Sequence, residues 1–586
     1  MVLAVVAVLA VVFYYPVGTV LHEAVRVPHA VSTALADQPV LAVLADPFYT
    51  GAAHTVFEAP ARVPAGLGRW ARTGFGVPSF GLFGFTAYQA ALSTVASVAL
   101  GLPGAYVLSR FEFPGRQTVR SLTILPFVLP AILVAIGFIA AFGQTGTLSA
   151  VLTAVGLGPV NILFSLEAIV LAHAFYNAPL VTRFVTAAWE SVDVRHAETA
   201  RSLGASRLRA FRDAVLPQLF PAILTAGLLT FLFTFMSFPI VLTLGGLRLA
   251  TVEVWLFARV QRLDLTEAAA LATVETAISL GLTYLYLRYE ARRAQATTGG
   301  QGPGRRPLLV GTETLRDPVR VGLLGYAVVA GVVFLLPLAS VVVESLTGPA
   351  GFTLRYWEFL LDQQQAAVAG VVKPATAIRN SLLFAAGTLA VALPMGTVVA
   401  VASTRSFRGR KILDALLMGP LAVSSIVVGL GLLQGLVFGA TLFGHRVTVT
   451  GPVAVVMAHA VAAYPFVTRN VAPQLAGLDR RLPDAARALG ASRVRALLDV
   501  ELPLVASGLV AGAAFAAAIS VGEFDSTVIL AEGARASTMP VAVDRYVGNR
   551  SLGPDLGPAA AMGTVLLAVT AGSFAVIDRL GGRWEQ

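Results

Sequence analysis

Twelve apolar runs of roughly twenty residues alternate with polar links along this chain. They lie near 2–21, 83–109, 119–143, 164–187, 219–244, 265–288, 320–343, 380–403, 412–438, 451–472, 505–530 and 556–577. A helix of that length crosses a hydrocarbon core of about 30 Å. The runs are continuous rather than alternating, so they do not read as barrel strands. A backbone in lipid must satisfy its own polar groups, which helices do within one segment. The pattern predicts an all-α polytopic membrane protein with about twelve transmembrane helices. Run 2–21 has no basic stretch before it and no convincing small-residue cleavage site after it, so it reads as a retained helix.

The links differ in charge. Arg110, Arg116 and Arg120 follow the second run, and Arg195, Arg201, Arg207, Arg209 and Arg212 follow the fourth. Arg288, Arg292, Arg293, Arg305, Arg306, Arg316 and Arg320 follow the sixth. Arginine concentrates on the cytoplasmic side of membrane proteins, so both termini are expected inside and the long polar loop 22–80 outside. The Gly-rich stretch 291–319 reads as a cytoplasmic linker. It divides the chain into a first half, 1–290, and a second half, 320–586. Arg405, Arg408, Arg410 and Lys411 repeat the basic link of the first half, and Phe407-Arg-Gly-Arg410 echoes Phe113-Pro-Gly-Arg116. Each half holds six runs. An even number gives both halves the same orientation, hence two parallel six-helix repeats.

One stretch occurs twice. Residues 172–217 and 458–503, offset by 286, are identical at 22 of 46 positions without a gap. His173/His459, Pro179/Pro465, Asp193/Asp479 and Gly204/Gly490 are among the matches, and each glycine stands 13 residues before Pro217 or Pro503. Ala200-Arg201-Ser-Leu203 and Ala486-Arg487-Ala-Leu489 suit a short amphipathic helix. Gly204 and Gly490 suit the turn that ends it. Ser206 and Ser492 suit caps of a second short helix, and the prolines suit the first turn of the next membrane helix. The expected result is a helix–turn–helix bracket at the cytoplasmic face, joined to a span. A helix lying on anionic lipid would need no glycine and proline kept at one spacing in both halves.

Composition narrows the chemistry. The chain is 56% hydrophobic and 13% charged, with mean hydropathy +0.77. Its formal charge of +10 comes from arginines flanking apolar runs; Lys373 and Lys411 are its lysines. That distribution points to lipid rather than nucleic acid. There is no cysteine, and the histidines at 22, 29, 54, 173, 196, 445 and 459 form no close ligand pair, so no metal or catalytic site is expected. No Gly-x-x-x-x-Gly-Lys-Ser/Thr loop is present, so nucleotide binding by that means is excluded.

Glu198-Thr-Ala200-x-x-x-Gly204 and Asp484-Ala-Ala486-x-x-x-Gly490 resemble the Glu-Ala-Ala loop of binding-protein-dependent ABC importer permeases. Thr199 and Asp484 are mild departures from that pattern. The resemblance covers both halves outside 22–80 and the linker. It implies a permease subunit of the cell membrane, not itself an enzyme. Glu198, Ala200, Gly204, Asp484, Ala486 and Gly490 would contact two ATPase subunits, which would bind the ATP and magnesium. An external solute-binding protein would deliver the solute. The fused two-half form resembles ferric-iron and thiamine importer permeases, notably through Phe235-Met-Ser237-Phe-Pro-Ile-Val-Leu-Thr-Leu-Gly-Gly246, Thr251-Val-Glu253-Val and Gly522-Glu523-Phe-Asp525.

Ionisable residues inside spans are costly and face protein or a polar cavity. His173, Glu275, His459, Glu523 and Asp525 are the candidates. Ser237, Glu523 and Asp525 are candidate pathway residues for a cationic solute; Glu523 and Asp525 read equally as a helix-end pair in interfacial water. His173 and His459 suit hydrogen bonds between helices. Arg183 and Arg469 suit snorkelling or holding the loop. An ion-coupled secondary transporter of two repeats is the competing function, and it would leave the brackets without a partner. A membrane-embedded enzyme lacks any His-Glu-x-x-His or Gly-x-Ser-x-Gly motif to support it.

Overall fold

A computed structural model describes residues 2–26, 38–73, 75–123, 129–294, 304–310, 316–365, 372–405, 410–442, 444–479, 481–531, 536–547 and 556–582. Among the described residues nine helices are long and apolar enough to cross a membrane, and eleven if each of two sharply bent pairs is one span. Gly557–Gly582 supplies the twelfth apolar run. The only strands among the described residues are three two-stranded pairs of two or three residues each. Parts of the basic link and linker fall outside the described residues, including 406–409, 295–303 and 311–315.

Several runs that read as single spans are broken. Run 119–143 resolves into Arg116–Leu122 and the buried helix Ala131–Phe142. The apolar region continues to Ala154 after a turn at Gly143–Gly146. Run 412–438 bends by 98° between Leu413–Ala422 and Ser425–Val437, where Pro420 interrupts the hydrogen-bond ladder. Run 320–343 breaks at Leu335, just before Pro337. Runs 219–244 and 505–530 both stop short, at Phe235 and Gly522, then restart as Pro239–Gly245 and Asp525–Leu530. The loop expected at 22–80 contains Pro39–Ala45, Pro47–Glu58 and Val63–Thr73 as helices. Tyr49 donates to Glu267, and Phe48 packs on Trp255 at 5.0 Å, which ties this region to the first half.

Close helix packing repeats in both halves. Leu82–Arg110 lies on Leu166–Glu190 through Gly101, where an added Cβ would sit 2.6 Å from the Ala178 carbonyl oxygen. Pro374–Thr404 lies on Pro452–Gly477 through Gly396, where a Cβ would sit 2.7 Å from the Tyr464 oxygen. Small residues at such crossings let backbones approach where lipid offers no competing hydrophobic drive. Thr182 and Thr468 then donate across the crossings to Gly101 and Gly396, each at 3.0 Å.

The first helix of each half crosses over to the other half. Val2–Val25 packs on Ser425–Val437, where a Cβ on Gly431 would meet the Pro16 oxygen at 2.7 Å. Reciprocally, Leu336–Glu344 packs on Ala131–Phe142, where a Cβ on Gly137 would meet the Pro337 oxygen at 2.8 Å. The halves are therefore interlocked, and one continuous core holds residues of both.

Candidate functional site

Two regions carry the polar features. The first is the pair of brackets. Val194–Ser202 starts with the Asp193 side chain accepting from the Arg195 N–H, and Arg481–Ala488 starts with Asp479 accepting from the Arg481 N–H. The Arg195 side chain and then its backbone N–H hold the Asp193 carboxyl below its usual range. Both helices end alike. The Gly204 and Ala205 N–H groups donate to Arg201 and Ala200, each at 3.0 Å, and Gly490 and Ala491 donate to Arg487 and Ala486 at the same distance. This pairing requires a left-handed residue after the helix. Gly204 supplies it at φ +89° and Gly490 at φ +93°.

Ser206 and Ser492 then cap the next turn, accepting from the N–H groups of Arg209 and Arg495. Each bracket enters the following helix through a π turn, Phe211–Val215 or Leu497–Glu501. A proline removes one ladder donor and its ring crowds the carbonyl four residues back. The wider turn just before Pro217 and Pro503 relieves both. Glu198 and Asp484 are exposed, Ala200 and Ala486 are half-buried, and Gly204 and Gly490 are exposed. Beside the glycines, Leu203 is 84% exposed and Leu489 90% exposed. Leu208 and Val494 are exposed next to them. A large apolar side chain thus stands exposed on the same turn in both repeats.

The second region is the seam between halves. Aligned by the same offset, Ser237 matches Glu523 and Phe238 matches Phe524. Those residues occupy the breaks that end the two fifth runs. Phe238 and Phe524 stack on each other, ring centres 5.8 Å apart at 14°. Equivalent residues meet only where the two-fold relation between the repeats passes, so this stack marks the molecular axis. A histidine supports each break. His173 bonds Ser93 through Nδ1 at 3.0 Å and Ser237 through Nε2 at 2.9 Å. His459 bonds Ser520 through Nδ1 and Thr527 through Nε2, each at 2.8 Å. The helix-to-helix role expected of both histidines is what they perform.

The two acidic candidates separate. Glu523 lies 3.7 Å from His459 and accepts from the Ser526 and Thr527 N–H groups and the Thr527 hydroxyl. Its carboxylate caps Asp525–Leu530 as a buried N-terminal anchor. Asp525 instead faces a cavity of about 270 Å³ lined from both halves. Sequence reading passed over Glu253 as a site residue. It is fully buried with Glu275, and neither carboxyl has a hydrogen-bond partner among the described residues. The sequence signal was an acid within an apolar stretch; the structure sets Glu253 at the start of the short helix Val252–Gln261, whose Val252 N–H donates to Thr86.

The comparisons with known proteins meet this geometry directly. The profile of the "binding-protein-dependent transport system inner membrane component" family matches the chain twice, at residues 97–292 and 392–586. The chain belongs to that family. It is a multi-pass inner-membrane permease subunit of an ATP-driven ABC importer, and the permease is not itself an enzyme. The permease is 29% identical over 546 residues to the thiamine transport system permease protein ThiP of Brucella abortus (strain 2308), covering 91% of this chain and 94% of that one. It is 28% identical over 511 residues to the thiamine transport system permease protein ThiP of Escherichia coli K12, covering 85% and 88%. The sulfate transport system permease protein CysT of Salmonella typhimurium is 29% identical over 217 residues, covering 36% of this chain and 77% of that one. Family membership brings ATPase and binding-protein partners in general, and it leaves the secondary-transporter reading without support.

Proposed function

We propose that this permease imports thiamine. Two thiamine permeases related to it nearly end to end support that reading, whereas the ferric-iron expectation draws no support from the relatives named above. One ATPase subunit docks on each bracket, with Glu198, Ala200 and Gly204 in the first and Asp484, Ala486 and Gly490 in the second forming the contact. ATP and magnesium bind in those subunits and not in this chain. An external binding protein delivers the solute to the opposite face. Both termini and the linker 291–319 lie in the cytoplasm, dividing 1–290 from 320–586. Ser237, Glu523 and Asp525 stand along the route at the seam, with Ser237 and Glu523 shaping the breaks and Asp525 facing the solute.

The observation that carries the ATPase coupling is the bracket pair: one Schellman turn, one glycine conformation and one exposed leucine in each half. Movement of a docked ATPase would be passed through the π turn to the fifth run and so to the Phe238–Phe524 stack. Closure of the ATPases must prefer one arrangement of that seam for ATP to drive the change. The test is uptake of labelled thiamine into vesicles holding the permease, its ATPase and its binding protein. ATP-dependent uptake is expected, and Gly204→Pro with Gly490→Pro should abolish it. Uptake that survives the double substitution would refute the coupling assignment.

A further inference from the structure

A cavity of about 270 Å³ opens near the bracket end of the first half, between Leu108 of Leu82–Arg110 and Thr186 of Leu166–Glu190. The short helix Arg116–Leu122 supplies its third wall. Arg116, itself buried, pins that helix by donating to the Leu108 carbonyl at 2.9 and 2.6 Å. Arg120 and Arg183 line the cavity with Gln117, Ser121, Thr123 and Thr186, and among the described residues no carboxylate does. Arg120 reaches Glu190 at 3.3 Å, but Arg116 and Arg305 bind the same carboxylate at 3.3 and 2.9 Å. With Arg183, and with Glu112 at 4.0 Å from Arg116, four arginines stand over two carboxylates. The adjoining residues 124–128 lie outside the described residues, and their sequence, Ile-Leu-Pro-Phe-Val, brings no acid to this surplus.

A second observation points to a ligand. Thr186 is 3% exposed, lines the cavity, and its hydroxyl has no hydrogen-bond partner among the described residues. A buried hydroxyl left unpaired is costly. The second half does not repeat the set. When Phe113 is aligned with Phe407, Arg120 matches Asp414, which takes Arg410 and Ser403 as partners. By the offset of 286, Thr186 matches Ala472. A charge bias that only orients the chain needs neither hydroxyls nor a wall. Two guanidinium groups beside hydroxyls suit a tetrahedral oxyanion. Span ends lie at the depth of lipid headgroups, where basic pockets between helices take anionic ones. Arg183 is exposed, so the cavity is open to that layer.

We propose that this cavity binds a phosphate group of net negative charge, with Arg120 and Arg183 paired to its oxygens and the Thr186 hydroxyl donating to it. A phosphatidylglycerol headgroup and free phosphate both present that chemistry. The site is independent of the solute imported, and it lies at the end of the span that leads into the first bracket.

Native mass spectrometry of the full chain in detergent tests it, with phosphatidylglycerol, phosphatidylcholine and inorganic phosphate as probes. The wild-type chain should retain one phosphatidylglycerol about tenfold more tightly than phosphatidylcholine, as expected for charge-assisted bonds to the anion. Arg183→Gln should abolish that preference, and Arg469→Gln, at the matched position of the second half, should keep it. Ala187→Leu fills the cavity while leaving both arginines in place. It should also abolish the preference, and it covers the case in which Arg183→Gln does not fold. The thermal midpoint of each variant reports folding. A midpoint raised by inorganic phosphate in the wild type but not in Arg183→Gln, without a lipid preference, keeps the site and makes free phosphate its ligand. Equal retention of the two lipids with no effect of phosphate overturns the site. A preference that survives in both folded cavity variants, or that Arg469→Gln removes equally, overturns it as well.

Discussion

The two brackets are built alike, but the helices they enter are not. In the first half Leu208–Phe235 runs on as one helix from the bracket into the membrane. In the second half Arg493–Leu504 and Ala506–Gly522 are bent by 79° at Val505. The first bracket is therefore continuous with one long helix, whereas the second meets its helix at a corner. The surroundings differ as well. Glu190, at the end of the first half's fourth span, is held by Arg116, Arg120 and Arg305, the last reaching it from the linker at 2.9 Å. In the second half Glu501 is held by Arg405 alone among the described residues, at 2.8 and 2.9 Å. Next to the seam, Val252 and Met539 are bound in matching ways by Thr86 and Ser381, yet the next residue is Glu253 in one half and Pro540 in the other. The two halves share the bracket geometry and differ in the helices and side chains around it.

The largest expected effect comes from breaking the interlock between halves. Gly431→Leu should push the Pro16 carbonyl away and cost roughly 3 kcal/mol, and Gly137→Leu should cost about the same through Pro337. Thermal unfolding of the purified permease would measure both. Equal losses would support a symmetric exchange of first helices; no loss in either would break it.

The histidines sharpen the comparison at the seam. His459→Phe strips partners from Ser520 and Thr527 and leaves Glu523 without its facing imidazole. His173→Phe strips partners from two serines. The first should destabilise by about 1–3 kcal/mol and more than the second. A reversed order in unfolding midpoints would place the weaker break in the first half.

A smaller difference is expected at the cytoplasmic ends. Arg405→Ala should cost about 1 kcal/mol, because no second arginine among the described residues reaches Glu501. Arg305→Ala should cost a few tenths, because Arg116 and Arg120 remain on Glu190. Similar losses would show that the linker contact carries as much as the Arg405–Glu501 pair.

Leu203→Ala and Leu489→Ala should leave the midpoint nearly unchanged, since both side chains are exposed and pack on little of the fold. Their effect should appear as weaker capture of the ATPase subunit. Unequal weakening would extend the asymmetry of the halves to their docking surfaces.

Much of the bracket was legible in the sequence because its constraints are local. A left-handed turn needs glycine, a cap needs a hydroxyl or carboxyl a few residues from its N–H, and the two copies restate each requirement at one offset. Gly204 and Ser206 therefore declared their roles, as did Gly490 and Ser492, whereas the caps made by Asp193 and Asp479 were not read from their repeat. The apolar runs were legible for a similar reason, since a bilayer selects on length and composition. Glu523 was harder. Its residue type suits a helix cap and a substrate contact equally, and only the packing of His459 against it separated the two.

By itself, then, the sequence determined a duplicated helical membrane permease, the shape of its two bracket turns and most of its buried ionisable residues, Glu253 apart. Tertiary structure decided what those elements meet. The exchange of first helices, the stacking of Phe238 on Phe524 and the cavity facing Asp525 join residues hundreds of positions apart or from different halves. Local propensity carries no information about such pairs, because they form only when helices choose neighbours by shape.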